Sequence, residues 1–251
     1  MADYSLLISD LHLSASLPSL SDAFKKYCRE VACNANALYI LGDLSDAWIG
    51  DDDDDAAAVM IREELKQLVQ QGTAIFLMTG NRDFLMGQKL AQDCGLSLLE
   101  DPSVVTIHGQ TVLLTHGDSY CTDDSEYMAF RAQIQNPMTQ QMLMSKSLEE
   151  RRAFAAQLRS QSKSANATKV SDIMDVNDTV VRQAFVEKNV DLMIHGHTHR
   201  PDTHQYALTA NGVDIKATRY VLGDWQPSEA GVKGWHITVN SQGITLNSFH
   251  L

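Results

Sequence analysis

Five times along the chain a short apolar run stops abruptly in residues that carry chemistry. "YSLLIS" (Tyr4–Ser9) leads into "DLHL", "ALYIL" (Ala37–Leu41) into "GDLSD", and "AIFLM" (Ala74–Met78) into "TGNRD". Thr111–Leu114 leads into "THGD", and Asp191–Ile194 into "HGHTH". Runs that are continuously apolar, rather than alternating, belong to strands covered on both faces. Helical patterns separate them. Leu20–Ala32 is one. Ala56–Gln71, with Val59, Ile61, Leu65 and Leu68 and a stop at Gly72, is another, and Leu85–Cys94, stopped by Gly95, is a third. This alternation predicts an α/β fold, and open α/β sheets put their chemistry at strand ends. His108-Gly109-Gln110 is a hairpin signal between Val104–Ile107 and Thr111–Leu114. Thr218–Leu222 and Trp235–Val239 alternate, which predicts further strands.

Ser125–Ala165 breaks the rhythm. It is helical in pattern, with Pro137 as a break and Tyr127, Phe130 and Ile134 on one face. Ser147 and Glu150 form a capping box for a second helix. Ser145–Ser171 holds six Lys/Arg and two Asp/Glu in a chain whose net charge is −12. The segment at about 124–172 is predicted to be a helical insertion within a single domain, 1–251. The acidic run Asp51–Asp55 reads as a solvated loop leading into the helix at Ala56, where negative charge suits a helix start. Net acidity argues against nucleic acid as a partner and means that an anionic substrate needs a local cation. Cys28, Cys33, Cys94 and Cys121 form no CxxC pair, which fits buried thiols in a reducing cytoplasm. The N-terminus lacks the basic flank of a signal peptide, and no apolar run approaches the ~18 residues of a membrane span.

The strand ends supply Asp10 and His12, Asp43, Asn81, His116, then His197 and His199. Singly, such residues are helix caps or structural histidines. Together they are seven nitrogen and oxygen donors without a thiolate, a set suited to a borderline or hard divalent metal. Seven donors on one ion would leave no place for a substrate. Two ions about 3.5–4 Å apart would leave room, and such pairs clamp the attacking and leaving oxygens in phosphoryl transfer. The Gly beside most of these donors allows close backbone approach. His195 is expected to support the site rather than ligate, and His108, His204, His236 and His250 to be structural.

The order Asp10-x-His12, Gly42-Asp43, Gly80-Asn81, His116, Gly196-His197-x-His199 resembles the calcineurin-like metallophosphoesterases. The resemblance implies an αββα two-sheet sandwich with a helical lid insertion. It places Asp10, His12, Asp43 and His199 on one metal, and Asp43, Asn81, His116 and His197 on the other. The stretches "AWIGDD", "GNRDFL", "CTDD", "IMDVN" and "HGHTHRP" are more closely similar to one branch of that family, which acts in lipid A biosynthesis. That branch implies two Mn²⁺ per chain and a UDP-diacylglucosamine substrate cleaved at its pyrophosphate. Asn81, Arg82 and His197 would act in catalysis. Asn81, Arg82, Asp124, Ser162, Asn166, Lys169 and His197 would contact the substrate. It further implies a monomer, cytoplasmic and peripheral on the inner membrane, with the lid's basic excess and Met/Leu face turned to the anionic surface. The lid sequence "MTQQMLMSKSLEERRAF" is more polar than the branch's usual segment. A wider reading keeps another phosphodiester, a nucleotide or a phosphoprotein as substrate.

Arg82 separates these readings. Most of the family carries His there, assigned to protonate an alcohol leaving group. A phosphate monoester leaves with its second pKa near ~6 and needs charge stabilisation rather than a proton. Arginine stays charged and grips phosphate oxygens bidentately. Asp83, next in sequence, is expected to orient it.

Overall fold

The computed structural model describes residues 3–166, 175–210 and 212–251, without the side chains of 161–166 and 210. Ser162 and Asn166 therefore have described backbone only, and Lys169 lies outside the described residues.

The first half builds β1 (Tyr4–Ile8), α1 (Pro18–Glu30), β2 (Ala37–Leu41), α2 (Ala56–Gln70), β3 (Ala74–Met78), α3 (Gln88–Cys94) and β4 (Ser97–Leu99). Helix α1 starts on Pro18, where a missing N–H costs nothing, and ends before a 3-10 turn at Ala32–Asn34. Helix α3 begins at Gln88 rather than Leu85, because Asp51 accepts from the N–H groups of Gly87 and Leu90 and so fixes that start. The hairpin β5 (Ser103–Ile107) and β6 (Gln110–Leu114) turns on His108 and Gly109, both at positive φ. Three helices follow, α4 (Ser125–Ile134), α5 (Pro137–Met144) and α6 (Leu148–Asn166), broken at Pro137 as expected. The capping box forms: Ser147 N donates to Glu150 Oε2 at 2.9 Å, and Glu150 N to Ser147 Oγ at 3.3 Å. Then come α7 (Asp178–Lys188), β7 (Leu192–His195), β8 (Asp202–Ala210), β9 (Val213–Val221), β10 (Gln226–Ser228), β11 (Gly231–Asn240) and β12 (Gly243–His250).

These strands form two sheets. One runs β11-β1-β2-β3-β4, with β12 and β10 also paired to β11; the other runs β5-β6-β7-β9-β8. Successive residues of β1 face opposite ways, as a strand requires. Leu6 and Ile8 pack with Phe24, Ile61 and Leu65 under α1–α3, whereas Leu7 packs with Leu114, Ile194 and Ile237 between the sheets. Leu113 and Met193 pack on the far side against Val181 and Phe185 of α7. The order is thus helices, sheet, sheet, helix: the αββα sandwich.

Parallel pairing decides where the polar tips fall. β1, β2 and β3 run parallel, with Ile8 opposite Ile40 and Leu41 opposite Met78. In the second sheet β6, β7 and β9 run parallel, with Leu114 opposite Ile194 and His195 opposite Val221. Six strands therefore end side by side, and each delivers the residues that follow it to one edge of the sandwich.

Candidate metal centre and adjoining cleft

Backbone hydrogen bonds lash the strand ends together. Asp10 N donates to Gly42 O at 3.1 Å, and His12 N to Asp43 O at 3.0 Å. Gly196 N donates to His116 O at 2.9 Å, and Trp225 N to Asp10 O at 3.1 Å, joining the two sheets. This closeness needs glycine. A Cβ on Gly42 would lie 2.5 Å from His116 Nδ1, and one on Gly196 would collide with the side chains of Ser9 and Asp10. Asp10, His12, Asp43, His197 and His199 all adopt left-handed backbone, with φ between 50° and 66°. That conformation costs roughly 1–2 kcal/mol per residue, and it persists only where the surroundings over-determine it. Five of the seven expected donors pay this strain together, which marks the edge as a site.

The donors converge. Asp10, His12 and His199 bring ligand atoms within 4.8 Å of one another, as do Asp10, Asp43 and His116. His12 Nε2 lies 3.2 Å from His199 Nε2, which is 3.3 Å from Asp10 Oδ1. Asn81 Oδ1 lies 3.1 Å from His116 Nε2 and 3.0 Å from His197 Nδ1. Asp10 Oδ1 and His12 Nδ1 are buried without a well-aligned hydrogen bond, the 3.3 Å approach of His199 Nε2 to Asp10 Oδ1 being a charge contact. Buried polar atoms are normally satisfied, so these two are atoms awaiting a ligand. The remaining ring nitrogens are oriented from behind. His116 Nδ1 donates to Leu41 O at 2.8 Å, and His199 Nδ1 lies 3.3 Å from Asp224 Oδ2. Ligating histidines usually have such partners, so the residues fit a divalent ion.

The metal-free charges are strained in a matching way. Burial raises the Asp43 carboxyl to about 7, with Asp83 and Asp10 adding to the push against His116. Burial also opposes charge on His116, but Asp43, Asp10 and Asp118 overcome it and raise the ring to about 9. His199 climbs to about 10 because hydrogen bonds to Asp10 and Asp224 outweigh its burial. Burial leaves His12 at about 3 and His197 at about 4. Burial would raise Asp10, yet the hydrogen bond and charge of His199 hold it well below the usual carboxylate range. Protonated imidazoles here do the neutralising that a cation would do.

His195 cannot ligate. Arg219 Nη1 must donate to its Nε2, 3.0 Å away, so its Nδ1 donates to Gly196 O at 2.8 Å. It braces the loop that carries His197, as expected.

Other expectations change. Asp83 is fully buried and accepts from Gly80 N at 2.6 Å and Leu44 N at 2.8 Å. It pins the two turns and does not orient Arg82. Arg82 instead lies 3.1 Å from Asp46 Oδ1, while its backbone N donates to Asp43 Oδ1 at 2.9 Å. Asp124 lines the polar cavity, and it also caps α4 by accepting from Tyr127 N at 3.0 Å. The acidic run is not a solvated loop, because its carboxylates are taken. Asp51 accepts from Trp48 Nε1, Gly87 N and Leu90 N; Asp52 pairs with Arg151; Asp53 and Asp54 pair with Arg152; Asp55 caps α2. Three of the six basic residues of Ser145–Ser171 are paired with the body of the protein: Arg151 and Arg152 with the acidic run, and Arg159 with Asp46.

Two cavities meet at this edge. The polar one is lined by His12, Asp43, His197, His199 and Arg200. The other, mostly apolar and open to solvent, runs between the 46–49 loop and the insertion, past Trp48, Phe84, Leu85, Phe130, Phe154 and Leu158. Asn81, Arg82 and Tyr127 line both. Tyr127 and Arg131 of α4 are anchored beneath by buried Asp118, each at 2.8 Å.

Sequence reasoning missed Asp224 and Asp118. The first had a signal: "YVLGDW" (Tyr220–Trp225) repeats the apolar-run-then-Gly-Asp pattern of "YILGDL" (Tyr39–Leu44). Asp118 follows His116 in "THGD", but nothing in that spacing foretells Tyr127 and Arg131 as its partners.

A six-strand edge that gathers nitrogen and oxygen donors is the architecture of a metal-dependent phosphoesterase. Residues 5–201 match the family described as calcineurin-like phosphoesterase, and the chain belongs to it. A protein of Cellvibrio japonicus called UDP-2,3-diacylglucosamine hydrolase is 47% identical over 98% of this chain and 99% of its own length. Proteins of the same name are 43% identical in Serratia proteamaculans, over 97% of this chain and 98% of theirs, and 47% identical in Marinobacter nauticus, over 88% of each.

Proposed function

We propose that the chain hydrolyses the pyrophosphate bond of UDP-2,3-diacylglucosamine. Water attacks the α-phosphorus, and UMP and 2,3-diacylglucosamine 1-phosphate are released. The observation that carries this reading is the meeting of the two cavities at Arg82. A phosphate-centred reaction site opening onto an apolar cleft suits a substrate with charged phosphates at its middle and acyl chains at one end. The names of the full-length relatives support the same substrate.

Two Mn²⁺ are the proposed cofactors, held by Asp10, His12, Asp43 and His199 and by Asp43, Asn81, His116 and His197. When bound they polarise phosphoryl oxygens and supply nucleophilic water at neutral pH. The protein's residues do the rest. Arg82 places a fixed charge where the departing phosphate develops its own. Asn81 and His197 position the phosphoryl group. Asp124, Ser162, Asn166 and Lys169 are proposed to contact the substrate. Tyr127 closes the wall between the cavities, and the cleft beyond it takes the acyl chains and excludes water.

No described helix is long and apolar enough to cross a membrane. Peripheral membrane contact is proposed through the exposed Met138 and Met142 of α5. Among the described lid arginines the charge is spent internally, so attraction to anionic lipid should be weak.

Turnover of UDP-2,3-diacylglucosamine by the Mn²⁺-loaded protein in ¹⁸O-water, followed by phosphorus NMR, tests the reading. Label in UMP is expected. Label in the lipid phosphate would reverse the direction of attack. Turnover of simple phosphomonoesters at equal rates would remove the substrate assignment.

A further inference from the structure

Arg82 and Arg159 approach the same cleft from opposite walls. Arg82 comes from the turn after β3, and Arg159 from α6. Both pair with one carboxylate: Asp46 offers Oδ1 to Arg82 Nη1 at 3.1 Å and Oδ2 to Arg159. Asp46 has its side chain 13% exposed, against 30% for Arg82 and 46% for Arg159. Its own backbone is held on both sides. Asp46 N donates to Leu13 O at 3.1 Å, and two residues on, Trp48 N donates to the carbonyl of Arg82 at 3.2 Å.

Asp46 is shared by both guanidiniums, and Arg82 Nε also lies 3.9 Å from Asp43 Oδ2. The cluster lines the apolar cleft, and Arg82 carries it to the border of the polar cavity. A guanidinium has five N–H donors, and a carboxylate with one oxygen for each arginine occupies only part of them. The N–H geometry of the two guanidiniums matches a phosphate, which carries a charge of about −1.5 to −2 at neutral pH. As a stability device the bridge would be feeble, because ion pairs this exposed contribute little. As a positioning device it joins α6 to the turn that bears Asn81 and Arg82, and misplacing a charge near reacting atoms can cost about 10²-fold in rate.

We propose that Asp46 is a positioning residue that holds Arg82 and Arg159 as a two-arginine clamp for the departing phosphate, making the seated position of α6 part of the productive geometry. The proposal rests on the pyrophosphatase reading above. The test uses the full chain loaded with Mn²⁺ and UDP-2,3-diacylglucosamine. Asp46→Asn, which keeps shape and removes charge, should lower kcat at least about thirtyfold with KM changed less than about threefold. Asp46→Glu should restore kcat to within about fivefold of the parent. The double variant Asp46→Asn/Arg159→Ala should lose less than the product of the single losses, because both act through one clamp. A kcat for Asp46→Asn within threefold of the parent, a failure of Glu to rescue, or losses that multiply would each overturn the clamp. Parent turnover is measured first. Its absence sinks the pyrophosphatase reading and the clamp with it, whereas an active parent with an unimpaired Asp46→Asn sinks the clamp alone.

Discussion

The polar cavity and the apolar cleft share Asn81, Arg82 and Tyr127, yet they are held in opposite ways. The polar side hangs from six strand ends, cross-tied by backbone hydrogen bonds, with left-handed residues locked into place. The far wall of the cleft hangs from α4–α6, which are fastened to the body largely by side-chain charges: Arg131 to Asp118, Arg151 to Asp52, Arg152 to Asp53 and Asp54, Arg159 to Asp46. Rigid sheet edges suit donors that must meet an ion within fractions of an ångström. The exposed pairs among them, at Arg152 and Arg159, form and break at small cost, which suits the wall of the proposed acyl cleft. The difference predicts that damage to the first region abolishes chemistry, while damage to the second changes substrate handling.

The largest effect should come from Asp43, which sits in one of the donor groups and also holds the backbone N of Arg82. Asp43→Ala is expected to lower turnover by at least about 10³-fold, since a lost metal forfeits several kcal/mol of transition-state stabilisation. Far-ultraviolet circular dichroism should stay unchanged. Retained turnover in excess Mn²⁺ would break the comparison at its root.

Arg82 stands on the boundary, so it tests where the boundary lies. Arg82→Ala should cost about 10²–10³-fold in kcat on a pyrophosphate substrate, where a charged group departs. On bis(p-nitrophenyl) phosphate, whose phenolate departs unaided, the loss should stay below about tenfold. Equal losses on both would assign Arg82 to the metal side alone.

Metal loading should sharpen the electrostatic half of the contrast. In the metal-free protein His116 is raised to about 9 and His199 to about 10, so both carry a proton at neutral pH. Ligation needs neutral imidazole, so each bound ion must displace protons. Raised values mean that affinity is lost as pH falls. Between about pH 6.5 and 8.5 the apparent affinity should rise roughly tenfold per unit for each proton displaced. Calorimetry in buffers of different ionisation enthalpy counts those protons, and a count of zero would refute the placement of these two rings on the two ions.

The same division decides how much could be read from the sequence. The strand-end candidates were legible because a parallel strand is a continuous apolar run and its tip lies in the two or three residues after it. Asp10, Asp43, Asn81, His116 and His197 needed only that rule. What was hidden needed three dimensions. No pattern announces that Asp10 or His199 takes a left-handed backbone, since that follows from cross-ties such as Trp225 N to Asp10 O. Asp83 looked like a partner for its neighbour Arg82, but adjacent residues on a turn point apart, and Asp83 turned inward to the N–H groups of Gly80 and Leu44. The acidic run looked solvated because its cationic partners lie about a hundred residues away in sequence, on a helix whose docking no local signal fixes.

The smallest effects should grade the lid's fastenings, and two adjacent arginines do this within one helix. Arg151 is buried, gives Nη1 to Ile49 O at 2.6 Å, and forks onto Asp52 at 2.7 and 2.6 Å. Arg151→Ala leaves Ile49 O without that donor and opens a gap beside Met144. It should lower the unfolding temperature by roughly 5–10 °C and raise KM for the acylated substrate more than it lowers kcat. Arg152 is half-exposed, and its partners keep other support: Asp53 still accepts from Asp55 N at 3.1 Å, and Asp54 faces water. Arg152→Ala should therefore move the unfolding temperature by no more than about 2 °C and leave kinetics unchanged. Differential scanning calorimetry on the two variants measures both. Equal shifts would mean that the lid is held by its summed charge; the predicted inequality places the fastening in one buried, doubly hydrogen-bonded fork.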